Sequence, residues 1–231
     1  MNLQDFLYGV YPYLAGTVFL VGSLLRFDRD PYTWKSDSSQ LLSKRHLRLG
    51  SNLFHVGILS IFLGHLVGLL TPHALFRAVG ISDLAHQYVA IIAGTIFGVM
   101  AMAGGILLWR RRVGNSRVRA AGKSSDLFIL TWLLVTLGLG LSTIPFSLWH
   151  AGHGNPEVMV SLAEWAQSVV TFQPDPALLA SVDTVFKIHI FFGMTVFLLF
   201  PFTRLVHIWS APFGYLVRAY QIVRMKRPAL R

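Results

Sequence analysis

Nine histidines are the residues of this chain best suited to chemistry, and no cysteine is present to share the work. Five of them, His46, His73, His86, His150 and His153, fall in polar or interfacial stretches, while His55, His65, His189 and His207 sit inside long apolar runs. A neutral imidazole carries one N–H donor and one lone-pair nitrogen. Hydrocarbon satisfies neither, so an ionisable side chain at that depth is a functional candidate by default. Three chemistries suit it: ligation of a metal, transfer of a proton, or a hydrogen bond between helices. The lack of cysteine removes disulfides, thiolate metal sites, iron–sulfur clusters ligated by this chain and covalent haem attachment. Any redox cofactor has to be held by other ligands.

The elements that carry these histidines are membrane-sized. The chain has 231 residues, 54% hydrophobic and 13% charged, with the charges gathered in blocks rather than scattered as on amphipathic helices of a soluble domain. Five stretches, near Phe6–Leu25, Leu49–Leu70, Gln87–Trp109, Leu127–Trp149 and Val185–Trp209, reach the roughly 20 apolar residues that a helix needs to cross a bilayer. The first is no signal peptide, because Asp5 precedes it and Arg26 and Arg29 follow it, the reverse of the usual polarity. The expected fold is an all-α bundle of five transmembrane helices forming one domain over residues 1–231, since no connecting segment is long enough to bury a second core. The longest connection, His150 to about Thr184, contains a short interfacial helix at Val158–Val170 beside Trp165. Ser82 with Asp83, and Ser124, Ser125 and Asp126, read as helix starts. Gly94, Gly98, Gly104 and Gly105 in the third stretch, and Gly138 and Gly140 in the fourth, let helices or a flat cofactor approach backbone closely.

Charge fixes the expected orientation. Of twenty basic residues, Arg26, Arg29, Lys35, Lys44, Arg45 and Arg48 lie between helices one and two; Arg110, Arg111, Arg112, Arg117, Arg119 and Lys123 lie between three and four. Arg204, Arg218, Arg224, Lys226, Arg227 and Arg231 lie at the C-terminal side, leaving only Arg77 and Lys187 for the opposite face. By the positive-inside rule the N-terminus is periplasmic and the C-terminus cytoplasmic. The formal net charge of +10 is therefore topological and does not indicate nucleic-acid binding. The basic loop Phe27–Arg48 meets anionic lipid headgroups or docks a partner.

Helix two then runs outward and helix five inward, so His55 pairs with His207 on the cytoplasmic side and His65 with His189 on the external side. Two imidazoles from facing helices, one on each face of a porphyrin, saturate the iron and leave no open position. Such a site passes electrons rather than binding oxygen. Two of them stacked through the bilayer give an electron path. The spacings match poorly: ten residues separate the pair on helix two by about 15 Å, while eighteen separate the pair on helix five by about 27 Å. A bend at Pro201 is the expected relief. The competing reading makes the four histidines hydrogen-bonding glue without a cofactor. Zinc suits them less, because each pair offers too few ligands for a closed tetrahedral site. Arg204, one turn from His207, either meets a haem propionate or snorkels to headgroups.

The runs YPYLAG at Tyr11–Gly16, SNLFHVGI at Ser51–Ile58, GHLVGLLTPH at Gly64–His73, TIPFS at Thr143–Ser147, EWAQSVVTF at Glu164–Phe172 and RLVHIWSAP at Arg204–Pro212 resemble the cytochrome b (gamma) subunit of membrane-bound respiratory nitrate reductase over nearly the whole chain. The resemblance implies two non-covalent b-type haems, with His55 and His207 as ligands of the cytoplasmic haem and His65 and His189 as ligands of the external one. It further implies that quinol, menaquinol or ubiquinol, is oxidised at the external haem with proton release outside the bacterial inner membrane. Electrons then pass to a cytoplasmic iron–sulfur subunit and on to a molybdenum catalytic subunit, docked on the basic inner face and the tail 210–231. Gly64, His65 and His86 are the quinol-pocket candidates. His86 stands where the family has a lysine, and reads either as acceptor of a quinol proton or as an interfacial side chain near Asp83. The histidine pattern alone fits equally a dihaem cytochrome b of another quinone-linked reductase, hydrogenase or dehydrogenase. A non-redox transporter or scaffold lacks the deep carboxylate it would need to carry protons or cations.

Overall fold

The computed structural model of the chain describes residues 2–34, 39, 41–43 and 46–210. Of the tail 210–231, expected to dock a partner, residues 211–231 lie outside the described residues, as do Lys35, Lys44 and Arg45. Five helices are long and apolar enough to cross a membrane: Leu3–Arg29, Leu47–Leu70, Asp83–Gly114, Ser124–Gly152 and Thr184–Phe202, called helices one to five below. No strand occurs among the described residues. This is the expected all-α bundle, the form in which every backbone polar group of a spanning segment is satisfied within the segment. The outward faces are apolar. Leu63, Val89, Ile92, Ile96 and Val99 are all exposed, which suits a multi-pass protein whose solvent is lipid.

Glycine decides how helices two and three pack. A Cβ on Gly57 would stand 2.6 Å from the Ala101 nitrogen, and one on Gly104 would stand 2.3 Å from the Phe54 nitrogen. The two backbones therefore touch, a contact that only residues without side chains permit. Gly98 and Gly105 of helix three instead make room for the side chains of Leu141 and Leu134 of helix four. Phe54, Ala101, Leu130 and Leu137 fill the core that these three helices share.

Proline sets the other contacts by releasing carbonyls. Pro12 has no N–H to give the Tyr8 carbonyl four residues back, and helix one widens to a π-turn over Phe6–Val10. Trp165 takes the released carbonyl through its indole N–H at 2.9 Å. The helix that carries it, Glu157–Val170, is the expected interfacial helix. Its Trp165 points inward and is buried with Tyr8, Leu179 and Phe186, and its Gln167 side chain caps the end of helix two by donating to the carbonyls of Leu69 and Thr71.

Helix starts divide. Ser82 caps helix three, its hydroxyl accepting from the Ala85 N–H. The expected capping at Ser124–Asp126 does not occur: helix four starts after Lys123 without a side-chain cap, and Asp126 turns instead to two arginines. Arg112 and Arg204 approach its carboxylate at 3.4 and 3.6 Å. Arg111 donates to the carbonyls of Ser39 and Ser43. The described residues of the three basic stretches thus meet at one end of the bundle, called the basic end, with His73, Asp83, His150 and Asp183 at the distal end.

Candidate functional site

Helix five departs most from the expected form. It is not one span to Trp209. The α-helix ends at Leu199, a 3-10 turn covers Phe200–Phe202, Thr203 is extended at φ −124° and ψ 179°, and a second 3-10 turn covers Arg204–Ile208. Pro201 cannot donate back along the helix, and the tighter turn begins where its N–H would be needed. Arg26 of helix one holds the break, donating to the carbonyls of Pro201 and Thr203 at 2.7 and 2.8 Å and to that of Thr33 at 3.2 Å. Gly22, one turn earlier, gives Pro201 its place: a Cβ there would come within 2.8 Å of the proline ring. Thr203 then caps the final turn, accepting from the Leu205 N–H. Ile129, Phe200, Leu205 and Val206 bury this corner.

The break removes the mismatch in spacing. Leu199 lies ten residues beyond His189, the same ten that separate His55 from His65, so helix five ends level with His55. The remaining residues fold across the basic end and carry His207 back to that level. His189 and His207, eighteen residues and so about five turns apart on an unbroken helix, therefore do not share a face of one helix.

The four apolar-run histidines come together in two pairs. His55 and His207 have ring centroids 6.4 Å apart, and His65 and His189 have theirs 6.1 Å apart. A direct N–H···N bond of about 2.9 Å would draw the centroids to roughly 5 Å. Two nitrogens each about 2 Å from one shared metal hold them roughly 6 Å apart. The spacing is too wide for glue and right for bis-imidazole ligation. Every Nδ1 of the four is also turned to a backbone carbonyl: His55 to Ser51, His65 to Ile61, His189 to Thr136 and His207 to Arg204. That bond fixes the tautomer with its proton on Nδ1 and leaves the Nε2 lone pair to bind metal. Among the described residues no three His, Asp or Glu side chains converge as they would around a bare metal ion, so each pair is a two-ligand site. The donor set fits a porphyrin iron, whose other four ligands come from the macrocycle.

Helix four positions His189. Besides the Thr136 carbonyl, Gly140 one turn on lies against the imidazole, and a Cβ there would stand 2.9 Å from Cε1. Trp132 donates to the Phe192 carbonyl and stacks on its ring at 4.5 Å. Gly193, one turn after His189, has nothing within 4 Å of where its Cβ would be, and neither has Gly64 beside His65. Both leave open space against backbone next to the distal pair. Arg204, expected toward a propionate or the headgroups, reaches Asp126, a partner that sequence spacing does not reveal.

His86 is buried at the distal end, its ring 4.1 Å from that of Phe76. A Cβ on Gly68, one turn past Gly64 and His65, would lie 3.4 Å from its Nε2, so His86 faces the segment that carries the other two pocket candidates. Asp83, its expected neighbour, binds His73 instead at 3.1 Å. His73, in a polar or interfacial stretch of the sequence, is only 6% exposed. The signal that could have marked it is its position: it starts a short helix, ten residues before an aspartate at the next helix start.

Fold and site together define a five-span membrane protein with paired imidazoles at two depths. The sequence matches the family model described as nitrate reductase gamma subunit over residues 4–226. It is 51% identical over 227 residues to the respiratory nitrate reductase 2 gamma chain of Escherichia coli, covering 97% of this chain and 98% of the relative. It is 48% identical over 225 residues to the respiratory nitrate reductase 1 gamma chain of the same organism, covering 97% and 98%. A more distant match, 28% identical over 173 residues, covers 73% of this chain and 49% of an Hdr-like menaquinol oxidoreductase cytochrome b-like subunit from Archaeoglobus profundus. The chain belongs to the nitrate reductase gamma subunit family, and so is one subunit of a multi-subunit oxidoreductase.

Proposed function

We propose that this gamma chain is the quinol-oxidising dihaem membrane anchor of its nitrate reductase complex. The observation that carries the reading is the pair of imidazole couples at two depths, each at iron-bridging separation with every Nδ1 tied to a carbonyl. The archaeal relative, an Hdr-like menaquinol oxidoreductase cytochrome b-like subunit, supports both haem and quinol. The basic end faces the cytoplasm and the N-terminus the periplasm, by the charge bias of the loops. His65 and His189 hold the outer haem and His55 and His207 the inner one. When bound, the two haems supply a one-electron relay from the outer side to an iron–sulfur subunit, which feeds the molybdenum subunit that reduces nitrate.

The chain's own groups bind, orient and deprotonate the quinol, menaquinol or ubiquinol. Gly64 leaves a flat ring room beside His65. His86 is the base: buried against Phe76, it offers a ring nitrogen to accept a hydroxyl proton. Protons leave outward while electrons go inward, so turnover is electrogenic, at about 2.3 kcal/mol per charge for each 100 mV. Arg204, paired with Asp126, would meet a propionate of the inner haem. The basic inner face and the tail 210–231 dock the cytoplasmic subunits, and lipid covers the apolar flanks of a chain set in the bacterial inner membrane.

The reduced-minus-oxidised visible spectrum of the purified complex tests this. Two b-type components are expected, with His65→Ala removing one of them together with quinol oxidation. A complex with no iron porphyrin, or a His65→Ala variant with both components intact, would refute it.

A further inference from the structure

At the distal end, His73 and His86 lie beside each other with ring centroids 6.1 Å apart, both more than nine-tenths buried. Each has one buried ring nitrogen without a hydrogen-bond partner, Nε2 of His73 and Nδ1 of His86. Two unpaired polar nitrogens on adjacent buried rings cost stability and call for an explanation. The other nitrogen of His73, Nδ1, lies 3.1 Å from the Asp83 Oδ1. The Asp83 carboxylate is 20% exposed, and its second oxygen is 3.7 Å from Arg77, which is 63% exposed. Exposure therefore rises in order from the two imidazoles through Asp83 to Arg77.

We infer that His86, His73 and Asp83 form the path by which quinol protons leave the membrane. The inference rests on the proposed quinol oxidation and adds the exit route and the residue His73. The carboxylate holds the His73 proton on Nδ1 and so keeps Nε2 as the free base facing the interior. A quinol hydroxyl gives its proton to one nitrogen of His86, and the opposite nitrogen of that ring releases one to Nε2 of His73 across a bridging water, because centroids 6.1 Å apart are too far for a direct N–H···N bond. His73 then releases its Nδ1 proton to Asp83, which passes it to water. Tautomer exchange in both rings resets the path, and it runs once for each of the two hydroxyl protons. The two electrons leave along the inward path proposed above, so quinol becomes quinone with charge balanced. Arg77 lies 3.7 Å from the second oxygen of Asp83, at the exposed end of the path. The interfacial helix adds only the neutral Gln167 near this corner, bonded to the Leu69 and Thr71 carbonyls, and its Glu164 is exposed.

A structural role for His73, tying the short helix His73–Ala78 to Asp83, is separated from proton transfer by His73→Gln. Glutamine keeps a hydrogen bond to Asp83 but cannot relay a proton. In the intact, haem-loaded complex, the expected result is quinol-driven nitrate reduction slowed about 10- to 100-fold with a larger solvent deuterium isotope effect. The haem spectrum and the rate with a soluble dye that reduces the catalytic subunit directly should be unchanged. In His73→Ala, added imidazole should restore the quinol rate saturably. Asp83→Asn provides a second variant that leaves the His73 ring in place, and should show the same slow, isotope-sensitive turnover. Wild-type quinol rates and isotope effects in either haem-loaded variant would overturn the inference. A haem-loaded wild-type complex that oxidises no quinol would instead overturn the function on which it rests.

Discussion

Replacing Gly140 by alanine should disable the outer haem site alone. The new Cβ would stand 2.9 Å from Cε1 of His189, 3.4 Å from Nε2 and 3.5 Å from Nδ1, whereas non-bonded carbons are comfortable at about 3.5–4.0 Å. The ring has to retreat by roughly half an ångström or more to reach that range. It has little freedom to do so, because its Nδ1 is bound to the Thr136 carbonyl one turn away on the same helix, and its partner His65 is fixed by Ile61. Overpacking of this kind costs about 1–3 kcal/mol, which corresponds to about 5- to 140-fold in affinity if all of it falls on the ligated state. Haem content per chain and a potentiometric titration of the visible difference spectrum measure the effect. One component should be lost or shifted while the inner one keeps its potential and amplitude. Gly138→Ala is the matched control, since its Cβ would meet only the Met102 methyl at an ordinary 3.8 Å. Two unaltered components in Gly140→Ala, or equal damage to both, would refute the reasoning.

Arg26→Gln removes charge-assisted bonds to the Pro201 and Thr203 carbonyls, each contributing about 1.5–3 kcal/mol; the inner spectral component should fall with the outer one preserved, as a difference spectrum reads directly. Gly104→Ala places a Cβ 2.3 Å from the Phe54 nitrogen, forcing backbone apart; folded protein recovered from the membrane should drop several-fold, as fluorescence-detected size exclusion reports. Asp126→Asn weakens two ion pairs that meet on one largely buried carboxylate, so the thermal midpoint of the purified complex should fall measurably.

The bundle was legible in the sequence because lipid imposes a length on apolar runs and the translocation machinery imposes a charge bias on loops. Both constraints are local in sequence. The histidine pairing was legible for the same reason: topology places His55 with His207 and His65 with His189, and the ring distances agree. The mismatch of ten residues against eighteen was visible too, but its resolution was not. Pro201 announces a disturbance, yet the extended Thr203 and the two 3-10 turns depend on Arg26, which is 175 residues away from Pro201. The Asp126 partnership and the His73–Asp83 contact were missed because a serine–serine–aspartate start and a loop histidine have ordinary local meanings, and only the tertiary arrangement overrides them.

Helix two keeps both ligand levels on one continuous rod, whereas the chain on the other side leaves the rod after Leu199. One extra residue between His55 and His65 would swing one imidazole about 100° around the axis, out of reach of its mate. The same insertion near Thr203 would lengthen a segment that has no helical phase to keep. Length drift among homologues is therefore tolerable on one flank of the cofactor stack and ruinous on the other: the molecule measures with a ruler and fastens with a slack tether.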